Sequence, residues 1–112
     1  MSDIIQLEII SSNLIIAHLI GEIDSSKLAE LEVNLKPVVE NPTVKILVLH
    51  CHDLVFIDSK IVGFLAYLRT TFTKSQRELR LAEINETIND ILSLVGLTQV
   101  IPCYDSLDLA LK

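Results

Sequence analysis

The residues with the strongest capacity for metal binding or nucleophilic chemistry are the cluster His50, Cys51 and His52, which follows an aliphatic run typical of a strand. Alternate residues of a strand point to the same face, so the two imidazoles could form a metal pair. A zinc site, however, usually needs three or four ligands. Cys51 would point away from both imidazoles, which argues against a thiol–imidazole nucleophile. We therefore expect no metal, no cofactor and no catalytic residue here, and we interpret the histidines as a solvated pair at a strand end.

The composition excludes several other classes of function. Only three glycines occur in 112 residues, and neither a glycine-rich phosphate loop nor a serine-hydrolase elbow is present. The net charge of −6 gives no general basic field for nucleic acid or anionic lipid. The chain begins without a secretion pattern, and its longest apolar run, residues 14–20, is too short to span a bilayer. We expect a cytoplasmic protein that is not an enzyme, in which Cys51 and Cys103 are both buried apolar residues.

The most informative segment is residues 55–65, where an apolar strand end meets Asp58 and Ser59 and then an amphipathic stripe. Asp and Ser are preferred at helix N-caps, so the plainest interpretation is that one of them caps a helix. The same position has a second use, because free N–H groups and the helix dipole favour a phosphate there. A serine at a helix start can therefore be phosphorylated without unfolding the helix. The residue types alone leave the capping and regulatory interpretations open.

Hydrophobic periodicity predicts the strands around this segment. Two β-branched runs, 4–10 and 13–20, predict a hairpin that ends at Gly21. The nearly continuous aliphatic run 44–49 predicts a central strand buried on both faces. Further strands are predicted at 78–84 and 99–101.

Apolar residues at helical spacing predict a first helix from Lys27 to Val38, capped by Ser25 or Ser26 and stopped by Asn41 and Pro42. The other predicted helical segments are a second helix after Asp58, a third capped by Asn85 that carries Ile88, Ile91, Leu92 and Val95 and ends at Gly96, and a last turn at 107–111. Half of the residues are hydrophobic and 21% are charged, which suits one folded core. The predicted fold is a single α/β domain over residues 1–112, in the order ββαβαβαβα, with a mixed, mostly parallel sheet covered by helices.

Four landmarks in this order resemble the STAS domain, the fold of bacterial anti-sigma factor antagonists that also occurs in stressosome scaffolds and at the C-termini of sulfate transporters. They are Gly21–Asp24, Phe56–Ser59, Leu94–Leu97, and Tyr104–Leu107 with Ala110. The resemblance implies a non-enzymatic partner-switching regulator that binds an anti-sigma factor or a serine kinase with a histidine-kinase-type ATP fold. It also leaves open an accessory subunit of a membrane transport ATPase complex and a small nucleotide-binding module.

The loop around Ser59 differs in sequence from the phosphorylated loop of the sporulation-type antagonists. Their motif, Asp-Ser-Ser-Gly-Leu-Gly, is phosphorylated on its second Ser, where this chain has Lys60. The run 58–61 is similar to that of single-domain stressosome scaffolds, which implies Ser59 as the phosphate acceptor. The resemblance assigns partner binding to Asp24, Asp58, Ser59 and Lys60, beside the exposed face of the second helix. Either Ser59 is phosphorylated or Lys60 fixes one binding state, and a homo-oligomer remains open.

Overall fold

The computed structural model describes residues 2–112, and its centre is a five-stranded sheet. The strands are β1 (Ile5–Ser11), β2 (Leu14–Ile23), β3 (Ile46–Ile57), β4 (Glu78–Ala82) and β5 (Cys103–Tyr104). The helices are α1 (Leu28–Glu40), α2 (Ser59–Lys74), α3 (Glu86–Leu94) and α4 (Leu107–Ala110). The strands lie in sequence order; β1 is antiparallel to β2, and every other neighbouring pair is parallel. The predicted element order and the mixed, mostly parallel sheet with β3 at its centre are confirmed.

The sheet is buried on both faces, which explains why its central strands are almost uninterrupted aliphatic runs. Successive side chains of a strand alternate between the faces. Leu47 and Leu49 of β3 join the main core with α1, α2 and α3, whereas Val48 joins a smaller cluster with Ala110 of α4. Three helices therefore cover one face and the short α4 covers the other. Among the helices described between residues 2 and 112, none has the length and apolar character needed to cross a membrane.

Two strands continue beyond their predicted ends. Gly21 does not end the hairpin, because β2 runs on to Ile23 with Gly21 in the left-handed region (φ +79°) beside irregularities in the pairing with β3. The central strand predicted from the run 44–49 begins at Ile46 and continues to Ile57, so that it includes the apolar strand end predicted before Asp58. The two strands extend together because each supplies the hydrogen-bond partners that the other strand's backbone needs. His50 and His52 consequently lie inside a strand and not at its end.

The predicted helix caps are confirmed for α3 but not for α1. Asn85 accepts from the Ile88 N–H at 2.8 Å, and Gly96 follows the helix with a left-handed φ of +78°. Before α1, Asp24 is the cap in place of Ser25 or Ser26, because its carboxylate accepts from the Ser26 N–H and begins a 3₁₀ turn at Ser25–Lys27.

The last part of the chain differs most from its prediction. The segment 99–101 is not a strand; a 3₁₀ turn occupies Leu97–Gln99, and β5 follows Pro102. A short apolar run cannot distinguish a strand from a turn by its pattern alone. β4 ends before its predicted limit because Glu83 turns the backbone with a positive φ of 60°. Cys51 is buried as predicted, but Cys103 is exposed because β5 lies at the edge of the sheet.

Arg77 holds the end of α1 against the sheet. Its guanidinium is buried and donates to four backbone carbonyls at and beyond the end of α1, those of Val38, Val39, Asn41 and Val44. The last carbonyls of a helix have no partner within the helix, and a cation suits the negative end of its dipole. The carbonyls of Val38 and Asn41 also accept backbone N–H groups, so this side chain adds a second bond to them and fixes the end of α1 relative to β4.

Candidate functional site

Asp58 lies between the end of β3 and the start of α2, and its carboxylate connects two loops. Oδ1 accepts from the Ile61 N–H at 3.2 Å, which caps α2. Oδ2 accepts from the Ser25 N–H at 2.7 Å, which holds the loop between β2 and α1. The capping residue is thus Asp58 and not Ser59. Because β2 and β3 are parallel and end in register, one carboxylate reaches both loops.

The four residues that the resemblance assigned to partner binding follow the ends of two neighbouring strands. Asp24 follows β2, while Asp58, Ser59 and Lys60 follow β3. Ser59 is the first residue of α2, and both Ser59 and Lys60 are exposed. The first N–H groups of a helix lack acceptors within the helix, and the positive end of the dipole favours an anion there. The position of Ser59 is therefore chemically suited to carry a phosphate.

Asp24 places a fixed negative charge beside this position. Hydrogen bonds from the Ser26 hydroxyl and the Ser26 N–H lower the pKa of the Asp24 carboxyl below its usual 3.8, with a smaller contribution from the charge of Lys27. Asp24 is therefore ionised at neutral pH. A phosphate on Ser59 would add charge of the same sign, and Lys60 supplies a cation next to it.

An open, mostly apolar groove of about 380 Å³ begins at Ser59 and runs toward the end of α3. Its lining residues are Phe56, Ile57, Asp58, Ser59, Val62, Ile91, Leu94 and Val95. The most exposed of them are Leu94 at 87% and Val95 at 59%. The apolar spacing predicted Val95 on the third helix, but α3 ends at Leu94 and Val95 is its exposed C-cap. The glycine that follows, Gly96, is the residue-type signal for this position, since a C′ glycine places the preceding residue outside the helix.

The histidines considered as a metal pair belong to a chain of polar contacts across the sheet. His18 contacts Glu8 through Nε2 and His50 through Nδ1, each at 2.8 Å. Glu83 contacts His52 Nδ1 at 3.1 Å and His50 Nε2 at 3.2 Å. Within residues 2–112, no group of three or more His, Cys, Asp or Glu side chains has an arrangement suited to a metal ion. The expectation of a solvated pair thus fits His52, whose side chain is 68% exposed, but not His50, which is largely buried between His18 and Glu83.

Glu83 is the junction between this chain and α4. Its carboxylate accepts from the Leu107 N–H, the first of α4, at 2.8 Å. That hydrogen bond, together with the nearby His50 and His52, lowers the pKa of the Glu83 carboxyl below its usual 4.5. Glu83 is therefore charged at neutral pH and stabilises the position of α4.

Neither cysteine has the environment of an activated nucleophile. Burial raises the pKa of the Cys51 thiol to about 12. Partial burial also raises the pKa of the Cys103 thiol. The reactive form of cysteine is the thiolate, so both side chains are unreactive neutral thiols near pH 7.

Known proteins share this fold. The family model described as the STAS domain matches residues 5–110. An anti-sigma factor antagonist from Mycobacterium paratuberculosis superposes with a TM-score of 0.84 at 23% identity, covering 96% of this chain and 89% of that one. The phosphorylated Bacillus cell fate determinant SpoIIAA gives a TM-score of 0.77 at 18% identity, covering 96% of both chains. The murine anion transporter Slc26a9 gives 0.73 at 18% identity, covering 90% of this chain and 17% of the transporter.

No curated protein sequence matches the chain at a significant level. Identities as low as those of the superposed structures show a shared fold alone. We therefore infer the function of this chain from the residues of the site and from the family.

We expect the substitution Asp58→Ala to lower the free energy of unfolding by about 1 to 2 kcal/mol, because it removes the cap of α2 and the bond to the Ser25 N–H. Urea denaturation measures the loss, and amide exchange at Ser25 should become faster. Asp53→Ala, which removes an exposed carboxylate from β3, is the matched control and should change little. Equal losses in the two variants would contradict this role of Asp58.

We expect Glu83→Gln to destabilise the protein at pH 7 by less than about 1 kcal/mol, since the amide keeps an acceptor for the Leu107 N–H but loses the charge. A carboxyl whose pKa is lower in the folded state stabilises that state above its unfolded pKa. The difference from the native chain should therefore shrink as the pH falls below 4.5. Melting temperatures across this pH range measure it, with Glu32→Gln on the exposed side of α1 as the control. A difference that stays constant with pH would contradict the role of the charge.

Proposed function

Because the chain belongs to the STAS domain family, we propose that it is a non-enzymatic partner-switching regulator, an anti-sigma factor antagonist or a related STAS scaffold. The observation that carries the proposal is that the exposed Ser59 lies at the edge of an apolar groove, on the first turn of α2. The partner is a protein, either an anti-sigma factor or a serine kinase with a histidine-kinase-type ATP fold. Residues 1–112 act as one unit in the cytoplasm, where free cysteines such as Cys51 and Cys103 are expected.

The groove supplies the affinity in this proposal. An exposed apolar patch with polar residues on its rim is typical of a protein interaction site. Leu94, Val95 and Phe56 provide side chains that a partner can bury. Asp24, Asp58 and Lys60 lie on or beside the rim, where charges govern the rate and specificity of association more than its strength.

Ser59 supplies the switch. A phosphoserine carries a charge of −1.5 to −2, which would change the net charge of the chain from −6 to about −8. That charge would lie between the apolar groove and Asp24, so burying it under a partner would cost desolvation energy. Lys60 would offset part of the repulsion. In the alternative form of the proposal, Ser59 is never modified and Lys60 fixes the binding-competent state.

A second candidate is an accessory subunit that docks on the cytoplasmic ATPase of a membrane transport complex, and the murine anion transporter is an example of the same fold in a membrane transport protein. The third interpretation, nucleotide binding at the start of α2, is disfavoured because residues 55–60 contain no glycine, whereas phosphate-binding loops are glycine-rich. An affinity pull-down from native extract with mass spectrometry separates the first two candidates. Recovery of a serine kinase or anti-sigma factor supports the regulator, and recovery of a transport ATPase supports the subunit.

We expect Ser59→Asp to weaken binding of the recovered partner by about tenfold or more, because it adds a charge at the edge of the groove. Ser59→Ala should bind within about twofold of the native chain, since the cap of α2 comes from Asp58. Titration calorimetry measures both affinities. Ser12→Asp, which adds the same charge at the far end of the sheet between β1 and β2, is the control. Equal affinity of the two Ser59 variants would exclude the phosphoswitch.

We expect Leu94→Ala to weaken the same complex by about tenfold while leaving the melting temperature nearly unchanged, because this leucine is exposed in the free protein. Leu109→Ala, on α4 and outside the groove, is the matched control and should bind as the native chain does. Native affinity in the Leu94 variant would show that the partner does not use the groove.

A further inference from the structure

β1 is an edge strand with an unpaired outer side. It contacts β2 on one side, and no other strand within residues 2–112 pairs with it. Its sequence, Ile-Gln-Leu-Glu-Ile-Ile-Ser, has neither the lysine nor the proline that commonly protects an edge from pairing. Three of its aliphatic side chains are exposed, Ile9 at 75%, Ile10 at 47% and Leu7 at 41%. Such an edge is a template for another strand.

The existing pairing with β2 fixes which backbone groups point outward. The Ile20 N–H donates to the Ile4 carbonyl at 2.8 Å, so Ile4 and Ile20 form a hydrogen-bonded pair. Hydrogen-bonded and non-hydrogen-bonded pairs alternate along antiparallel strands. Gln6 and Glu8 therefore direct their backbone groups to β2 as Ile4 does. The N–H and C=O groups of the odd-numbered residues, Ile5, Leu7 and Ile9, point outward.

We propose that β1 binds β1 of a second copy of this chain, in an antiparallel pair whose two-fold axis passes through Leu7. Leu7 then pairs with Leu7 of the second copy, and Ile5 pairs with Ile9. All of these pairs use the outward backbone groups, so each is a hydrogen-bonded pair. The two sheets become one continuous sheet of ten strands.

Charge selects this register over its neighbours. With the axis at Leu7, Gln6 lies opposite Glu8 of the second copy, and an amide can donate to a carboxylate. With the axis at Glu8, the two Glu8 carboxylates would lie opposite each other, which is destabilising. With the axis at Ile9, Glu8 would face the apolar Ile10, and the pair would include the irregularity between Ile9 and Ser11. The register at Leu7 also places its aliphatic residues in a single row on one face.

The side chains gain contacts that the isolated chain lacks. Ile5, Leu7 and Ile9 point to the same face of the sheet because they alternate along the strand. In the pair, the exposed Leu7 and Ile9 lie against aliphatic partners from the second copy. A seven-residue strand spans only about 23 Å, so the interface is small and the dimer should form in the micromolar range.

The first test measures association of the native chain. Sedimentation velocity between about 5 and 500 µM should show a monomer–dimer equilibrium. Amide exchange should slow at Ile5, Leu7 and Ile9 as the concentration rises, whereas Gln6 and Glu8 are already bonded to β2 and should not respond. A chain that stays monomeric throughout, or protection that ignores this odd–even pattern, would overturn the proposal.

The second test uses variants that keep the fold, which circular dichroism verifies. Leu7→Lys should weaken the dimer at least tenfold, because two ammonium groups then meet at the axis. Leu109→Lys introduces the same charge at a comparably exposed leucine on α4, away from β1, and should dimerise normally. A dimer that survives Leu7→Lys would be formed by another surface, which would overturn the proposal.

The register has its own test. Gln6→Glu places two carboxylates opposite each other in each of the two Gln6–Glu8 pairs and should weaken the dimer. Adding Glu8→Gln restores one amide and one carboxylate to each pair, so the double variant should regain most of the affinity. Failure of Gln6→Glu to weaken the dimer would exclude this register. None of these outcomes depends on Ser59 or on its partner, so they leave the regulatory proposal untouched.

Discussion

The Asp58 carboxylate is the contact on which the arrangement of the site depends. Its two oxygens accept from different elements, one from the Ile61 N–H in α2 and the other from the Ser25 N–H after β2. An aspartate has enough acceptor capacity for both bonds, whereas a serine at this position would satisfy fewer N–H groups. Because Asp58 is the cap, the hydroxyl of Ser59 is not needed for the stability of α2. In the proposed switch, the structural role falls on Asp58 and the regulatory role on its neighbour Ser59, so Ser59 could be modified without loss of the cap.

The local parts of this arrangement are readable from the sequence. An Asp-Ser pair before an amphipathic stripe predicts a helix start, and Asn85 and Gly96 mark both ends of α3 by their residue types. The contact between Asp58 and Ser25 is different, because 33 residues separate them and no local pattern encodes the approach. The cap at Asp24 is local by contrast, since its carboxylate accepts from the Ser26 N–H two residues later. It was missed because Ser25 and Ser26, which follow it, are favoured cap residues as well.

The lengths of β2 and β3 also depend on long-range pairing. Residues 50–53 of β3 are mostly polar, so their composition indicates a strand end. In the fold, His50 faces His18 of the neighbouring strand and both imidazoles contact carboxylates, which makes a polar row compatible with a sheet interior. The groove escaped prediction because hydrophobic periodicity assigns Val95 to the apolar stripe of the third helix, whereas α3 ends at Leu94 and Val95 is its exposed C-cap.

The edge strand and the groove occupy separate parts of the molecule, and this separation has a mechanical consequence. β1 forms one edge of the sheet, whereas Ser59 and the groove lie after the central strand β3, beside α3. A two-fold axis that passes through Leu7 perpendicular to the sheet leaves the helix-covered faces of the two copies on the same side of the joined sheet. Both copies would therefore present their grooves on one face of the ten-stranded sheet.

A partner with two binding sites could engage both grooves at once, and the second contact would then benefit from a high effective concentration. In such a complex, phosphorylation of Ser59 in one copy would remove one of the two contacts and with it the affinity gained from bivalency, although the other contact could still form. The charge change would therefore lower the affinity of the bivalent complex more than the affinity of a single groove.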